Sequence, residues 1–193
     1  MVKERPLKSK VRFGIVVVSD RIFEGKAEDY SGEKVAKKLI EEHGHTVTYY
    51  TIIPNKRADI GKAVERALKE NARIILFIGG TGLGPKDVTA DVVESLVEKK
   101  IPGFGELFRY LTFIKEGTKA WLTRATAGTY KNTILIAIPG SPSAVKLALK
   151  EIILPEICHV INVIEGVSHW DEKRKSSSNN SNICSTIRSN NNR

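Results

Sequence analysis

The chain has 193 residues, 41% hydrophobic and 27% charged, with 7 prolines. This is the composition of one globular domain with a substantial core, and it excludes wholesale disorder and a multidomain enzyme. The formal charge of +9 sits mostly at the ends: residues 1–12 hold five Lys/Arg against one Glu and residues 171–193 hold five against two acids, leaving 21 basic and 19 acidic side chains between them, a balance that argues against a phosphate-tracking groove through the body.

Residues 1–10 read as a basic arm. Val11 to Ser19 (VRFGIVVVS) follows as a short β-branched run, a strand. Ser31 to His43 carries Val35, Ala36, Leu39 and Ile40 at helical spacing, with Gly44 placed to stop the helix. Thr46 to Ile53 predicts a second strand, and Ile60, Ala63, Val64, Ala67 and Leu68 predict an amphipathic helix. Arg73 to Ile78 is a continuous apolar strand of the kind buried on both faces. After a glycine loop come a helix with Val92, Val93, Leu96 and Val97 inward and another bearing Phe104, Leu107, Phe108 and Leu111. That last stripe is either core or subunit contact. Thr133 to Ile138 is a further buried strand. Ser141 and Pro142 open the last helix as N-cap and first residue, and Pro155 should kink or split it. Residues 11–170 form the domain, and the Ser/Asn-rich stretch 171–193 has too few apolar groups to order itself.

Strands alternating with helices, at connections too long for hairpins, imply an α/β fold: a three-layer sandwich with a mostly parallel open sheet covered by helices on both faces. No apolar run reaches the roughly 18–20 residues of a membrane span. The start, Met1 to Pro6, lacks a signal-peptide core, so a cytoplasmic protein with no membrane partner is expected. Cys158 and Cys184 form no CxxC pair and have no histidine at ligand spacing, so neither a disulfide framework nor a zinc site is indicated.

In open α/β sheets ligands bind beyond the carboxyl ends of the strands. Four irregular segments follow strands here: Ser19-Asp20-Arg21, Pro54-Asn55-Lys56, Gly79-Gly80-Thr81-Gly82 and Pro139-Gly140-Ser141-Pro142. The glycine loop is either an anion cradle of backbone N–H groups with the Thr81 hydroxyl added, or a plain tight turn. It is neither a Walker A loop nor a GxGxxG fingerprint. Asp87 either holds Mg²⁺ against phosphate oxygens or favours the positive end of the following helix, which Thr89 would cap.

These segments, with Asp87-Val88-Thr89, Pro102-Gly103-Phe104-Gly105-Glu106-Leu107-Phe108-Arg109, Leu122-Thr123-Arg124-Ala125-Thr126-Ala127-Gly128 and the early Val18-Ser19-Asp20 and Asp29-Tyr30-Ser31-Gly32, resemble the MoaB/Mog family of molybdenum cofactor biosynthesis proteins and the related gephyrin G domain. The resemblance spans residues 11–164 and implies a homotrimer. Its activity would be adenylyl transfer from Mg-ATP to the terminal phosphate of molybdopterin, releasing pyrophosphate. It further implies that Asp87 is the catalytic, magnesium-linked carboxylate. Gly79, Gly80, Thr81 and Gly82, with Thr89, Gly140, Ser141 and Pro142, would hold the phosphate-bearing pterin. Ser19 and Asp20 would line the nucleotide side, and Thr123 and Arg124 would lie near the substrates.

The sequence departs from the family at Asn55, where many active members carry an acid, and at Asp91, where glutamate is usual. Asn55 is either a catalytic-site amide that ligates weakly or the N-cap of the helix bearing Ile60, and the cap is the favoured reading. Either Asp87 with a neighbour such as Asp59 suffices for catalysis, or the protein binds pterin as a carrier or scaffold without adenylylating it. A third reading is a weak nucleic-acid binder acting through its basic ends. No specific nucleic-acid partner is expected, because the body has no stripe of basic and aromatic residues.

Overall fold

In a computed structural model of the chain, residues 10–166 are described. The basic arm, save its last residue, the Ser/Asn stretch, His169, Trp170 and Cys184 lie outside the described residues. The elements run β1 (Arg12–Val18), α1 (Asp20–Phe23), a π-helical segment (Tyr30–Lys37) continuous with α2 (Lys38–Glu42), β2 (Thr46–Ile53), α3 (Arg57–Lys69), β3 (Ile74–Ile78) and α4 (Thr89–Leu96). They continue with β4 (Lys99–Lys100), α5 (Pro102–Glu116), a 3₁₀ turn (Gly117–Leu122), β5 (Thr126–Tyr130), β6 (Thr133–Ile138), α6 (Pro142–Leu147), a second π-helical segment (Ala148–Ile153) and α7 (Leu154–Ile164).

The six strands form one sheet in the order β2-β1-β3-β6-β5-β4. The first four are parallel neighbours, and β5 and β4 continue the sheet antiparallel. β3 and residues 134–138 of β6 are apolar at every position because both faces are covered. Phe13, Ile15, Val17, Ile74, Leu76, Ile78, Ile134, Ile136 and Ile138 face a core shared with the Val35–Ile40 helix, α5, α6 and α7. Val16, Val18, Ile75, Phe77, Leu135 and Ala137 face the other core, built with Ile60, Ala63, Val64 and Ala67 of α3 and Val92 and Val93 of α4. Helices on both faces of a mostly parallel sheet are the architecture expected.

One expectation, that no connection is a hairpin, fails on the antiparallel side. β5 and β6 are joined across Lys131 and Asn132 alone, a hairpin in which Lys131 takes φ +53°. The small residues Thr126-Ala-Gly-Thr carry no apolar alternation to announce a strand, and the turn contains no glycine. The stripe on α5 divides. Phe104 and Phe108 are buried, while Leu107, Tyr110, Phe113 and Ile114 are exposed, and Trp121 beyond the helix is 77% exposed.

The helix after Ser141 is not split at Pro155, although a split is one outcome expected of that proline: helical residues run unbroken from Pro142 to Ile164. The π-helical segment Ala148–Ile153 includes Glu151, whose carbonyl the ring of Pro155 would meet in a regular α-helix, and α7 continues from it with Pro155 in its first turn. Gly44, at φ +79°, ends α2 as expected. His45 is buried, accepting from the Val11 N–H at 3.4 Å beside the Phe13 ring, and burial, helped by His43, lowers its pKa. Cys158 packs against the first core. Among the described residues no helix is long and apolar enough to cross a membrane.

Candidate functional site

The four strand-end segments meet on one edge, because β2, β1, β3 and β6 are parallel and adjacent. The Ser19 N–H donates to the Ile53 carbonyl (2.9 Å), the Asn55 N–H to Asp20 Oδ1 (2.8 Å) and the Gly79 N–H to the Ile138 carbonyl (2.9 Å). Beyond β3 the chain turns to α4 on one face of the sheet, and beyond β6 it turns to α6 on the other. Adjacent strands whose chains leave to opposite faces open a crevice between their ends. It is a cleft of about 350 Å³ lined by Gly80, Thr81, Gly82, Asp87, Thr123, Pro139, Gly140 and Ser141, with Phe108, Thr112, Glu116, Lys119, Leu122, Ala144 and Leu147.

Seven of the residues expected at the site therefore share one cavity: Gly80, Thr81, Gly82, Asp87, Thr123, Gly140 and Ser141. Ser19, Asp20, Asn55, Gly79, Thr89, Arg124 and Pro142 do not line it. The cleft residues Thr112, Glu116 and Lys119 were not anticipated. Thr112 and Glu116 extend the Phe108 side of α5 by one and two turns and Lys119 follows in the 3₁₀ turn, and nothing in the sequence says that this end of the helix reaches the strand-end loops.

Gly79 and Gly80 adopt φ +105° and +65°. A Cβ on Gly79 would stand 2.4 Å from the Val18 carbonyl oxygen, so the glycine is what lets the loop cross β1. Asp87 closes the loop on itself: its Oδ2 accepts from the Gly84 N–H (3.0 Å), and its own N–H donates to the Gly84 carbonyl (2.9 Å). A Cβ on Gly82 or Gly84 would lie 2.8 Å from that same oxygen, so the carboxylate needs both glycines. Ser141 caps α6 by accepting from the Ala144 N–H (3.2 Å), and Pro142 is the first helical residue, as expected.

The capping roles expected of Thr89 and Asn55 are not found. Thr89 is the first residue of α4, with Val88 at the cap position, and its N–H donates to the Gly80 carbonyl (2.9 Å). α3 starts at Arg57 after Lys56, with no side-chain cap. Asn55 is instead drawn toward β1 by its bond to Asp20, whose Oδ2 lies 3.9 Å from Lys86 Nζ. Thr89 Oγ1 and Asn55 Oδ1 are both buried without a hydrogen-bond partner and flank Gly80, where an added Cβ would meet them at 2.2 and 2.7 Å.

The Asp29-Tyr30-Ser31-Gly32 segment, a recognisable motif with no role assigned from sequence, is a strut. Asp29 accepts from the N–H groups of Gly32 (2.8 Å) and Glu33 (3.0 Å) and from the Tyr50 hydroxyl in a short bond. Burial, then that bond, pushes the Tyr50 hydroxyl above its ordinary pKa. Ser31 Oγ, so oriented, donates to the Gly140 carbonyl at 2.6 Å. It tethers the loop after β6 across 109 positions of sequence.

Among the described residues no three His, Cys, Asp or Glu side chains gather as a metal cage. A magnesium ion shared with a phosphate takes one or two protein carboxylates and completes its shell with phosphate oxygens and water. Asp87 fits that pattern: it lines the cleft and only its Oδ2 is hydrogen-bonded.

Residues 14–159 match a family described as a probable molybdopterin binding domain. Molybdenum cofactor biosynthesis protein B of Staphylococcus aureus (strain COL) is 41% identical over 160 residues, covering 81% of this chain and 93% of that protein. The protein of the same name from Bacillus anthracis is 40% identical over 153 residues, covering 78% and 89%. Among solved structures, the tungsten cofactor synthesizing protein MoaB from Pyrococcus furiosus superposes with a TM-score of 0.74 at 33% identity, covering 83% of this chain and 99% of that one.

Proposed function

The chain belongs to the molybdopterin-binding family of the molybdenum cofactor biosynthesis proteins, and from that premise we propose that it transfers the adenylyl group of Mg-ATP to the terminal phosphate of molybdopterin. Its part in molybdenum or tungsten cofactor biosynthesis follows from the family. The finer reading is carried by one observation: a carboxylate, Asp87, stands in the wall of the same cleft as the glycine loop and the Gly140-Ser141 turn.

A phosphate oxygen of the pterin attacks the α-phosphorus of ATP, and the bond from that phosphorus to the pyrophosphate oxygen breaks. The nucleophile is already anionic, so no general base is required and catalysis rests on positioning and charge neutralisation. The N–H groups of Gly80, Thr81 and Gly82 and the Ser141 hydroxyl bind the phosphate of the pterin, with Thr123 beside them. Ser19 and Asp20 face the nucleotide from the end of β1. Asp87 would hold Mg²⁺, which neutralises charge on the phosphate oxygens.

The deciding experiment mixes the protein with molybdopterin and Mg-ATP and follows pyrophosphate over several turnovers. Release is expected, with Asp87→Asn slowing it by about 10²–10³-fold, the size of effect seen when one electrostatic group is removed from an active site. Pterin affinity should stay unchanged in the variant. Tight pterin binding without pyrophosphate would instead support a carrier or scaffold. That second reading is favoured by Asn55, an uncharged amide whose oxygen lies buried beside Gly80. Assembly as a homotrimer belongs to the same proposal, supported by the exposed apolar side chains of Tyr110, Phe113, Ile114 and Trp121.

A further inference from the structure

We infer that Arg124 is a positioning residue, which holds the loop carrying Asp87 from behind, and not a ligand of either substrate. The inference rests on the reading of Asp87 given above. Arg124 lies between the 3₁₀ turn and β5, more than thirty positions from the residues it engages. Its backbone N–H donates to the Thr81 carbonyl (3.1 Å). Its guanidinium donates from Nε to the Gly82 carbonyl (3.0 Å), from Nη2 to the Asp87 carbonyl (2.6 Å) and from Nη1 to Asp91 Oδ1 (2.6 Å). One residue thus grips both ends of the loop and the first turn of α4.

This contact set suits arginine alone. Three acceptors in divergent directions match a planar fork of five N–H donors, whereas a lysine ammonium is a single point with three. Asp91 neutralises the charge. Arg124 is also absent from the wall of the Gly80–Ser141 cleft and lines a neighbouring cavity of about 430 Å³ with Arg109 and Trp121. Between the gripped ends, Leu83 to Lys86 are exposed, and among the described residues no hydrogen bond or ion pair beyond the two Gly84–Asp87 bonds within the loop and the long Lys86–Asp20 pair ties the segment to the body. A misplacement of about 1 Å in a catalytic group costs on the order of 10²-fold in rate, which is the effect a missing clamp would have.

The test uses the full chain, with Arg124→Gln, Arg124→Lys and Asp91→Asn. Amide hydrogen exchange at Gly84 and Asp87 should quicken by about tenfold or more in both Arg124 variants, while the amides of β1 and β3 keep their protection. Molybdopterin affinity, read by fluorescence quenching, should stay within about twofold, and kcat should fall by about 10–100-fold with little change in KM for the pterin. Lysine should not restore the rate. Should Arg124→Gln fail to fold, Asp91→Asn removes one partner only and should quicken the same amides by a smaller factor. Unchanged loop protection, or a pterin affinity weakened about tenfold or more with the loop still protected, would overturn the inference and make Arg124 a ligand or a bystander. If the unaltered protein releases no pyrophosphate, the adenylyl reading fails, and the exchange and affinity measurements still decide the clamp.

Discussion

The loop after β3 and the loop after β6 wall the same cleft, yet they are secured by different means. The first is long, crosses β1 at Gly79 in a backbone conformation that strains any side chain, carries the carboxylate, and is gripped by Arg124 from the antiparallel edge of the sheet. The second is short, feeds at once into α6 through a capping serine and a proline, and has one side-chain tether, Ser31. A turn locked into a helix inherits the helix's rigidity. A ten-residue excursion that must present a carboxylate does not, and takes three hydrogen bonds from Arg124 to its carbonyls where the turn takes one from Ser31.

The largest effect that would separate the two loops is steric. Gly79→Ala, with φ +105° and the Val18 carbonyl 2.4 Å from the new Cβ, should lower stability by about 2–5 kcal/mol in urea unfolding. Gly140→Ala, whose Cβ meets nothing closer than 3.4 Å, should change it by less than about 1 kcal/mol. Equal losses at the two glycines would erase the distinction. Next in size, Ser31→Ala removes the hydroxyl that holds Gly140 and should cost about 0.5–1.5 kcal/mol, with weaker pterin binding if that tether shapes the cleft. Binding and stability both unchanged would mean the second loop needs no tether.

The smallest effect concerns pH. The hydrogen bond from Arg124, ahead of the opposing effect of desolvation, holds the Asp91 carboxyl below its ordinary value of 3.8. A carboxylate whose pKa is lower folded than unfolded stabilises the fold above the unfolded pKa, and this contribution is lost as pH falls through the folded one. Unfolding free energies of the parent and Asp91→Asn should therefore differ near neutrality and converge as pH falls below the ordinary carboxyl value of 3.8 and through the lowered one. The difference will be small, since both side chains keep about a third of their surface in water. A gap that persists in acid would assign the loss to something other than this ion pair.

The parallel strands, most of the helices and the four strand-end loops could be read from the chain because burial on two faces writes itself into local periodicity. Uninterrupted Ile/Val/Leu runs mark strands covered on both sides, and the residues just past their ends must gather at one edge once those strands are parallel. Glycine pairs, Ser141 and Pro142 announce their backbone roles in the same local way. The antiparallel edge is different: β5 is made mostly of small residues and follows no apolar pattern, the turn after it has no glycine, and its pairing with β6 and β4 makes it a strand. Thr89 and Asn55 have the chemistry of caps, but the return of its own loop sets Thr89 against Gly80, and the neighbouring strand β1 brings Asp20 to Asn55. Arg124, expected beside the substrates, spends its donors on backbone carbonyls about forty residues earlier and on Asp91. Local pattern reports what a segment buries. Which partner a polar side chain finds depends on the sheet order that carries distant segments into contact, and that order is a property of the folded chain.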